Sequence, residues 1–367
     1  SHTDHKRNEM EENKTRAIDR AREIVENYDG PAIRIMEVCG THTHEIFRLG
    51  IRALLPENIQ LISGPGCPVC VTPMSFMDEA VYLAMEKNAV ICTFGDLVRV
   101  PGSEMSLWQA RAKGAQVKTV YSPLDALEIA EKEPDREVVF LAVGFETTTP
   151  GACIAVENAA KAGIKNFSLL TANKTMRSAY IQLRTSADAY MYPGHVSTMT
   201  GMGVYRELAR DYGISGAVTG FTASEILTAL ATIIVKLGEG KPFAENCYPR
   251  VVTEEGSRPS REIVGRVMEP CDAEWRGLGV IQDSGMRLRD EFGDYDARKK
   301  FSIPKMTAKG SPGCRCGEIL LGDIKPYDCP LYGKACTPEH PVGACMVSGE
   351  GTCSAYYKYG SLELIRK

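Results

Sequence analysis

Short apolar runs alternate with amphipathic segments along the chain up to about residue 240. Apolar residues recur at helical spacing from Arg16 to about Asn27, which predicts a helix. Later runs rich in β-branched residues predict strands at Ile33–Val38, Ile59–Ser63, Ala89–Phe94, Val117–Tyr121, Val138–Val143, Phe167–Thr171 and Ala217–Phe221. Further helices are predicted at Phe76–Lys87, Leu124–Lys132, Gly151–Lys161 and Ala223–Leu237. Such alternation is typical of βαβ units and parallel sheets.

Two breaks in this pattern predict the domain organisation. The Ser122-Pro123 step and the charged stretch Glu131–Glu137 divide the alternating region into two parts, each the size of a small α/β domain. The segment 238–242 is typical of a linker, and the chain beyond it is irregular. We therefore predict an α/β fold with two parallel-sheet domains that face a cleft, plus an irregular or helical third domain. The predicted units are an N-terminal extension and helix at 1–30, α/β domains at 31–122 and 123–240, and the third domain at 241–367.

Unusual local sequences follow three of the predicted strands. They are Cys39-Gly40-Thr41-His42, the segment Gly64–Cys70 and the segment Gly144–Gly151. In open α/β sheets, ligands bind at the carboxyl ends of the strands. Glycine and proline permit tight turns there and let the backbone approach a ligand. We therefore predict that these three segments form the functional site.

Charge and hydropathy exclude several classes of function. The 367 residues carry 43 Lys and Arg against 47 Asp and Glu, a net charge of −4, which argues against a dominant nucleic-acid footprint. Neither a run of about 18 apolar residues nor an N-terminal apolar segment is present, so we expect no membrane span and no secretory signal. The expected location is the cytoplasm, where thiols are held reduced. No nucleotide-binding glycine motif follows a strand, so a nucleotide-driven activity is not indicated.

The cysteines are concentrated towards the C-terminus. Six of the thirteen lie between residues 314 and 353. Cys314, Cys329, Cys336 and Cys353 give the spacing C-x14-C-x6-C-x16-C, and four thiolates suit either zinc or an iron–sulfur cluster. The absence of a C-x2-C knuckle among them favours iron–sulfur, and a module of three disulfides is the alternative.

The other cysteines fall into smaller groups. The two remaining tail cysteines, Cys316 and Cys345, are interpreted as a disulfide, a redox dithiol or structural residues. Upstream cysteines in less distinctive surroundings are interpreted as small buried hydrophobes: Cys92, Cys153, Cys247 and Cys271.

The segment Cys67-Pro68-Val69-Cys70 places two sulfurs within reach of one metal ion or of each other. A helix is expected to start just after it, near Pro73, and a helix N-terminus lowers the pKa of a first thiol. Incidental burial of two thiols is the alternative, but packing alone does not explain the preceding Gly-Pro-Gly turn. The pair is therefore a candidate metal or redox site.

Four more side chains are candidates. Cys39 with His42 and His44 forms either a ligand group or a nucleophile with a base, and the two histidines would share a face of a strand but not of a helix. His195 lies in a Pro-Gly turn, which favours a functional role. Glu146 is a carboxylate at a strand end, although the three threonines after it are also typical of a helix cap. Each histidine is alternatively a structural residue.

At several of these positions the sequence resembles the HypD family of NiFe-hydrogenase maturation factors. The residues that carry the resemblance occur in order and span nearly the whole chain: Glu37–His44, Gly64–Pro73, Gly144–Thr148, Pro193–Ser197 and the cysteine-rich tail. The Gly-Pro-Gly-Cys-Pro-Val-Cys segment is highly specific. The N-terminal extension lies outside the resemblance.

The resemblance implies two α/β domains and a third part that carries a 4Fe–4S cluster. It implies an assembly scaffold, with redox or cyanide-transfer activity, rather than a conventional turnover enzyme. The scaffold pairs with the chaperone HypC and holds iron, while HypE delivers cyanide for the Fe(CN)2CO moiety of the hydrogenase.

The same resemblance implies roles for individual residues. Cys39, Cys67 and Cys70 match thiols that handle iron or cyanide. The four tail cysteines spaced as above match the cluster ligands, and Cys316 with Cys345 matches a redox dithiol. The roles of His42, His44, Glu146 and His195 stay open.

Two other hypotheses fit parts of the pattern. One is a cluster-linked thiol-disulfide oxidoreductase that acts through Cys67 and Cys70. The other is an interaction protein stapled by zinc. The scaffold hypothesis is preferred because it alone accounts for the upstream motifs and the tail together.

Overall fold

The computed structural model describes residues 2–308 and 310–365. The outermost residues of the predicted units 1–30 and 241–367 therefore lie outside the described chain. The described strands are β1 (Ile33–Glu37), β2 (Ile59–Ser63), β3 (Val90–Thr93), β4 (Val117–Thr119), β5 (Val138–Gly144), β6 (Phe167–Asn173), β7 (Ala189–Pro193), β8 (Gly216–Thr219), β9 (Ala244–Asn246), β10 (Met268–Trp275) and β11 (Gly279–Leu288).

Helices connect and cover these strands. They are α1 (His2–Glu26), α2 (Gly40–Arg48), α3 (Met74–Met85), α4 (Leu107–Ala112), α5 (Pro123–Lys132), α6 (Thr149–Ala162), α7 (Arg177–Gln182), α8 (Gly194–Thr200), α9 (Gly203–Tyr212), α10 (Ala223–Gly238), α11 (Arg258–Val267), α12 (Ala297–Lys300), α13 (Cys316–Leu321), α14 (Ala344–Val347) and α15 (Thr352–Ile365). Short 3-10 helices occur at Ile51–Leu54, Gly95–Arg99, Asp290–Tyr295 and Pro326–Asp328. In this part of the chain, no helix is long and apolar enough to cross a membrane.

Two parallel sheets form the framework, as predicted. The first sheet has the strand order β2-β1-β7-β8-β9, and the second has the order β4-β3-β5-β6. Neighbouring strands are parallel in both sheets. The central strands are almost wholly buried, as expected for sheets whose two faces are covered by helices. The α/β fold class is confirmed.

Strand pairing does not follow the predicted boundary at residues 122 and 123. The first sheet combines strands from residues 33–63 with strands from residues 189–246, whereas the second sheet is built from residues 90–173. The second sheet is thus a continuous insertion between β2 and β7. The alternation of strands and helices is identical in both sheets, so the local pattern does not indicate which sheet a strand joins.

Three local elements differ from the sequence interpretation. Strand β7, in the middle of the first sheet, was missed because it is only five residues long, has no β-branched residue and ends at a Pro-Gly step. Cys39-Gly40-Thr41-His42 leads directly into helix α2. In the region interpreted as irregular, β10 and β11 form an antiparallel hairpin with alternating exposure along β10.

Candidate functional site

Cys39 lies between strand β1 and helix α2, directly against the Gly64–Cys70 segment. The backbone N–H of Gly40 donates to the carbonyl of Gly66 over 3.2 Å. A Cβ on Gly66 would lie 2.6 Å from Cα of Cys39 and closer still to its nitrogen, so only glycine permits this approach. The end of β1 and the loop after β2 are adjacent because the two strands pair. The fold therefore brings Cys39 and Cys67 into one neighbourhood.

Cys67 and Cys70 form a buried turn. The backbone N–H of Cys70 donates to Sγ of Cys67 over 3.3 Å. The pKa of Cys70 is raised well above its usual value, mainly by burial and secondly by the hydrogen bond with Cys67. Helix α3 begins only at Met74, so the turn precedes the helix and does not form its first turn. The expected start of a helix just after the pair, near Pro73, is confirmed.

The tail thiols pack directly against this turn. One buried cluster contains Cys67, Cys70, Cys336, Cys345 and Cys353, with Cys316 and Cys329 packed at its edge. We call these residues, together with Cys314, the thiol cluster. The cysteines that the sequence separates into upstream and tail groups thus meet in one place.

Hydrogen bonds pair some of these thiols. Cys353 donates to Cys345, which lowers the pKa of Cys345 and raises that of Cys353. Cys314 and Cys316 are paired in the same way, so the pKa of Cys316 is lowered and that of Cys314 is raised. Cys316 and Cys345, the predicted dithiol, are near enough to interact electrostatically, but each interacts more strongly with another thiol.

The guanidinium of Arg276 lies beside the thiol cluster. Its positive charge acts to lower the pKa values of Cys316 and Cys345 and opposes the rise in the pKa of Cys314. Nη1 of Arg276 is buried and has no hydrogen-bond partner among the described residues. A cation at this position stabilises thiolates, which are the ligand form of cysteine. Sequence reasoning missed Arg276, which stands in an unremarkable hairpin turn.

The four predicted cluster ligands fit an iron–sulfur group in donor type and neighbourhood. Cys314, Cys336 and Cys353 interact electrostatically with one another. Sγ of Cys329 lies 3.8 Å from the carbonyl of Gly313, next to Cys314. Thiolates are the standard ligands of such clusters. Among the described residues, no three Cys, His, Asp or Glu side chains already converge on one metal-sized point, so binding requires side-chain rotation.

Cys39 is also linked to the tail through Glu350. Thr41 donates a hydrogen bond of 3.0 Å to Oε1 of Glu350. Burial raises the pKa of Cys39 to about 11, and the Glu350 carboxylate acts in the same direction. A cation bound at Cys39 would oppose both effects and favour the thiolate.

His42 and His44 lie on different faces of helix α2, as two residues separated by two positions must. The ring of His42 is fully buried, and its Nε2 lies 2.8 Å from the carbonyl of Gly220. Burial lowers the pKa of His42 to about 4, so the ring is neutral at pH 7. His44 is half-buried and makes an edge contact with Tyr359 at 5.4 Å between ring centres.

Phe221 connects His42 with His195. The ring of His42 stacks on Phe221 at 4.5 Å, and the exposed ring of His195 stacks on Phe221 at 4.1 Å. The structure thus brings together two histidines that are far apart in the sequence. Phe221 was not a predicted site residue, although it ends a predicted strand, where site residues are expected.

Glu146 lies in a different environment. Its Oε1 accepts a 2.8 Å hydrogen bond from the backbone of Met176, and its Oε2 is buried without a partner among the described residues. Burial raises the pKa of Glu146 to about 7. The carboxyl group borders a cavity of about 400 Å³ with Tyr180 and Tyr205, and no described candidate cysteine lines this cavity.

Comparison with known proteins identifies the family. The family model named HypD, described as "Hydrogenase formation hypA family", matches residues 13–360. The chain belongs to the HypD family of hydrogenase maturation factors. It is 44% identical over 337 residues to Hydrogenase maturation factor HypD of Rhodobacter capsulatus, with 89% of each chain covered. It is 42% identical to the HypD proteins of Azotobacter vinelandii and Escherichia coli K12, with 89% and 90% of each chain covered.

Membership of the HypD family confirms the resemblance on which the sequence interpretation rested. The roles of the individual cysteines, histidines and Glu146 stay predictions. The structure adds that the motifs carrying the HypD resemblance at Glu37–His44 and Gly64–Pro73 meet the HypD tail at the thiol cluster. The Gly144–Thr148 motif instead borders a separate cavity.

Proposed function

We propose that this HypD-family chain is the scaffold on which the Fe(CN)2CO moiety of a NiFe hydrogenase is assembled. In this role it binds iron as a substrate together with a HypC-type chaperone and accepts cyanide from a HypE-type donor. The observation that carries the proposal is the convergence of Cys39, the Cys67–Cys70 turn and the tail thiols on one buried junction.

Cys39, Cys67 and Cys70 are the proposed iron-binding residues. Soft thiolates suit low-spin iron that carries cyanide and CO. Cys39 is partly exposed while Cys67 and Cys70 are buried, so Cys39 is the thiol that an incoming partner reaches first. His42 is neutral and held by Gly220, and through Phe221 it sets the position of His195 at the surface.

The tail supplies the proposed cofactor site. Cys314, Cys329, Cys336 and Cys353 would hold a 4Fe–4S cluster, which supplies one-electron transfer when bound. Cys316 and Cys345 would then be the two tail thiols that are not ligands. Arg276 stabilises the thiolate form of both.

A second function is favoured by one observation. Cys67 and Cys70 pack against Cys345 and Cys353, which is the contact that a thiol-disulfide oxidoreductase linked to the cluster would need. In that function Cys39 is dispensable, because the disulfide is formed and reduced between Cys67 and Cys70. In the scaffold function Cys39 is required.

The decisive experiment is anaerobic co-purification with the chaperone and the cyanide donor, followed by iron analysis and infrared spectroscopy. We expect cyanide and CO stretching bands in the wild-type complex and their loss in Cys39→Ser. Cys247→Ser is the matched control, because Cys247 lies outside the thiol cluster and should keep the bands. Absence of the bands from the wild-type complex, together with disulfide reduction that persists in Cys39→Ser, would favour the oxidoreductase instead.

A further inference from the structure

A second cavity, of about 240 Å³, lies beside the N-terminus of helix α3. Its walls come from the first turn of α3, from the end of β6 and from the β10–β11 hairpin. Pro73 and Ser75 of α3 line it together with Lys174, which directly follows β6. It contains no cysteine of the thiol cluster, so the proposed function does not use it.

Lys174 is buried without an ionic partner. The residue is only 2% exposed, and its ammonium makes no hydrogen bond or ion pair of standard geometry with a described residue. Its nearest aromatic ring is that of Trp275, at 5.8 Å. Burial lowers the pKa of Lys174 to about 8. Lysines are almost never fully buried unless they are paired, so the donors of this ammonium are available to a group in the cavity that it lines.

The α3 N-terminus adds a second positive feature. The helix is twelve residues long, begins after Pro73 and has no side-chain cap. The first backbone N–H groups of a helix lack partners within the helix, and they carry a partial positive charge. Helix N-termini that face a cavity are ready-made anion sites. Here the helix N-terminus and the ammonium of Lys174 border the same space.

The other charged residues in the cavity wall do not form an ion pair with Lys174. They are Glu79, Asp272, Glu274, Arg287 and Arg298. Arg298 and Glu79 neutralise each other through two hydrogen bonds of 2.7 and 3.1 Å. Asp272 and Glu274 are exposed, so water and salt screen them; Glu274 attracts the Lys174 ammonium only at a distance, and the Arg298 guanidinium repels it. Lys174 is therefore a buried charge that no described residue pairs directly.

We infer that this cavity is a binding site for a small oxyanion, with a phosphate or carboxylate group held between the Lys174 ammonium and the first turn of α3. A volume of about 240 Å³ accommodates such a group with ordered water. The site would be coupled to the Cys67–Cys70 loop, because α3 continues that loop and the backbone N–H of Arg276 donates to Val71 over 2.8 Å. The inference is independent of the scaffold function.

The test is a titration of the full-length protein with inorganic phosphate and, in parallel, with acetate. Binding is measured by calorimetry and by the rise in Tm, at constant ionic strength with chloride. We expect saturable binding of at least one of the two anions, and the preferred anion identifies the group as phosphoryl or carboxylate. Lys174→Met should weaken binding by about tenfold or more, because a charge-assisted hydrogen bond is lost.

Two further variants make the test specific. Lys132→Met removes an exposed lysine on α5 and should bind the anion as the wild type does. Ser75→Asp places a carboxylate in the first turn, where it suits the helix dipole, and should weaken anion binding several-fold by charge repulsion without unfolding α3. Equal affinity in the wild type and Lys174→Met, or no saturable binding of either anion to the wild type, would overturn the inference.

Discussion

Arg52 donates a hydrogen bond of 3.0 Å to the carboxylate of Glu37, which is completely buried. Glu37 ends strand β1 just before Cys39, and Arg52 also bonds Ser63, which ends β2 just before the Gly64–Cys70 segment. One guanidinium thus joins the ends of the two strands that present the upstream thiols.

The same guanidinium reaches the tail. Its Cζ lies 4.6 Å from the ring centre of Phe47 on α2 and 5.5 Å from that of Tyr356 on α15. Helix α15 also carries Cys353, so Arg52 fixes the position of the tail helix against the strands. Arg52 is therefore a positioning residue for the thiol cluster.

We expect Arg52→Met to destabilise the protein by about 3–5 kcal/mol, because it leaves the buried Glu37 carboxylate with only the Ser63 and Thr43 hydroxyls and without its cationic partner. The measurement is chemical unfolding. Arg48→Met removes the exposed pair with Glu45 and should cost less than about 1 kcal/mol. Adding Glu37→Gln to Arg52→Met should restore part of the loss, and no recovery in the double variant would contradict the assigned pairing.

Gly66→Ala tests the approach between the two upstream segments. Its new Cβ would collide with the backbone of Val38 and Cys39, so we expect a loss of about 1–3 kcal/mol or more. Gly265→Ala, on helix α11 with open space around it, should be neutral or stabilise by about 0.5–1 kcal/mol. Unfolding of both variants is compared with the wild type, and equal stability of the two would show that Gly66 does not contact Cys39 closely.

Glu146 should make stability depend on pH. Its pKa is raised to about 7 by burial, so the folded state binds a proton that the unfolded state releases near pH 4.5. This stabilisation is fully present below about pH 4.5 and is lost as the pH rises through 7. From about pH 5.5 to about pH 8.5 the contribution should fall by roughly 2 kcal/mol, at about 1.4 kcal/mol per pKa unit. Glu146→Gln should flatten this dependence, whereas the exposed control Glu104→Gln should retain it.

Local patterns in the sequence predicted seven of the eleven described strands and five of the fifteen described α-helices, but not which strands pair. Strands β1 to β6 were predicted within a few residues because their apolar runs are continuous. The division of these strands between two sheets was not predicted, because it depends on the pairing of β1 with β7, about 150 residues later. Helix α2 was missed because a cysteine, a glycine and two histidines give little helical periodicity.

The motifs predicted which residues form the candidate site but not how these residues are arranged. The motifs identified Cys39, Cys67, Cys70 and the tail cysteines, but the packing of Cys67 and Cys70 against the tail thiols, with Cys39 beside Gly66, results from long-range contacts. Arg52 acts on Tyr356, about 300 residues away, and nothing in the local sequence indicates that contact. The stacking of Phe221 on His42 and His195 likewise depends on long-range packing.

The contacts among the tail thiols predict which disulfide forms when the cluster is absent. In protein prepared without iron and sulfide and then oxidised mildly, we expect Cys345 to pair with Cys353. Cys353 donates a hydrogen bond to Cys345, and the lowered pKa of Cys345 makes it the attacking thiolate. Peptide mapping by mass spectrometry identifies the pair, and the fully buried Cys92 should remain reduced as an internal control. Reconstitution with iron and sulfide before oxidation should suppress the bond, because Cys353 is then a ligand. A Cys316–Cys345 disulfide as the main product would contradict the observed contacts and support the dithiol predicted from the sequence.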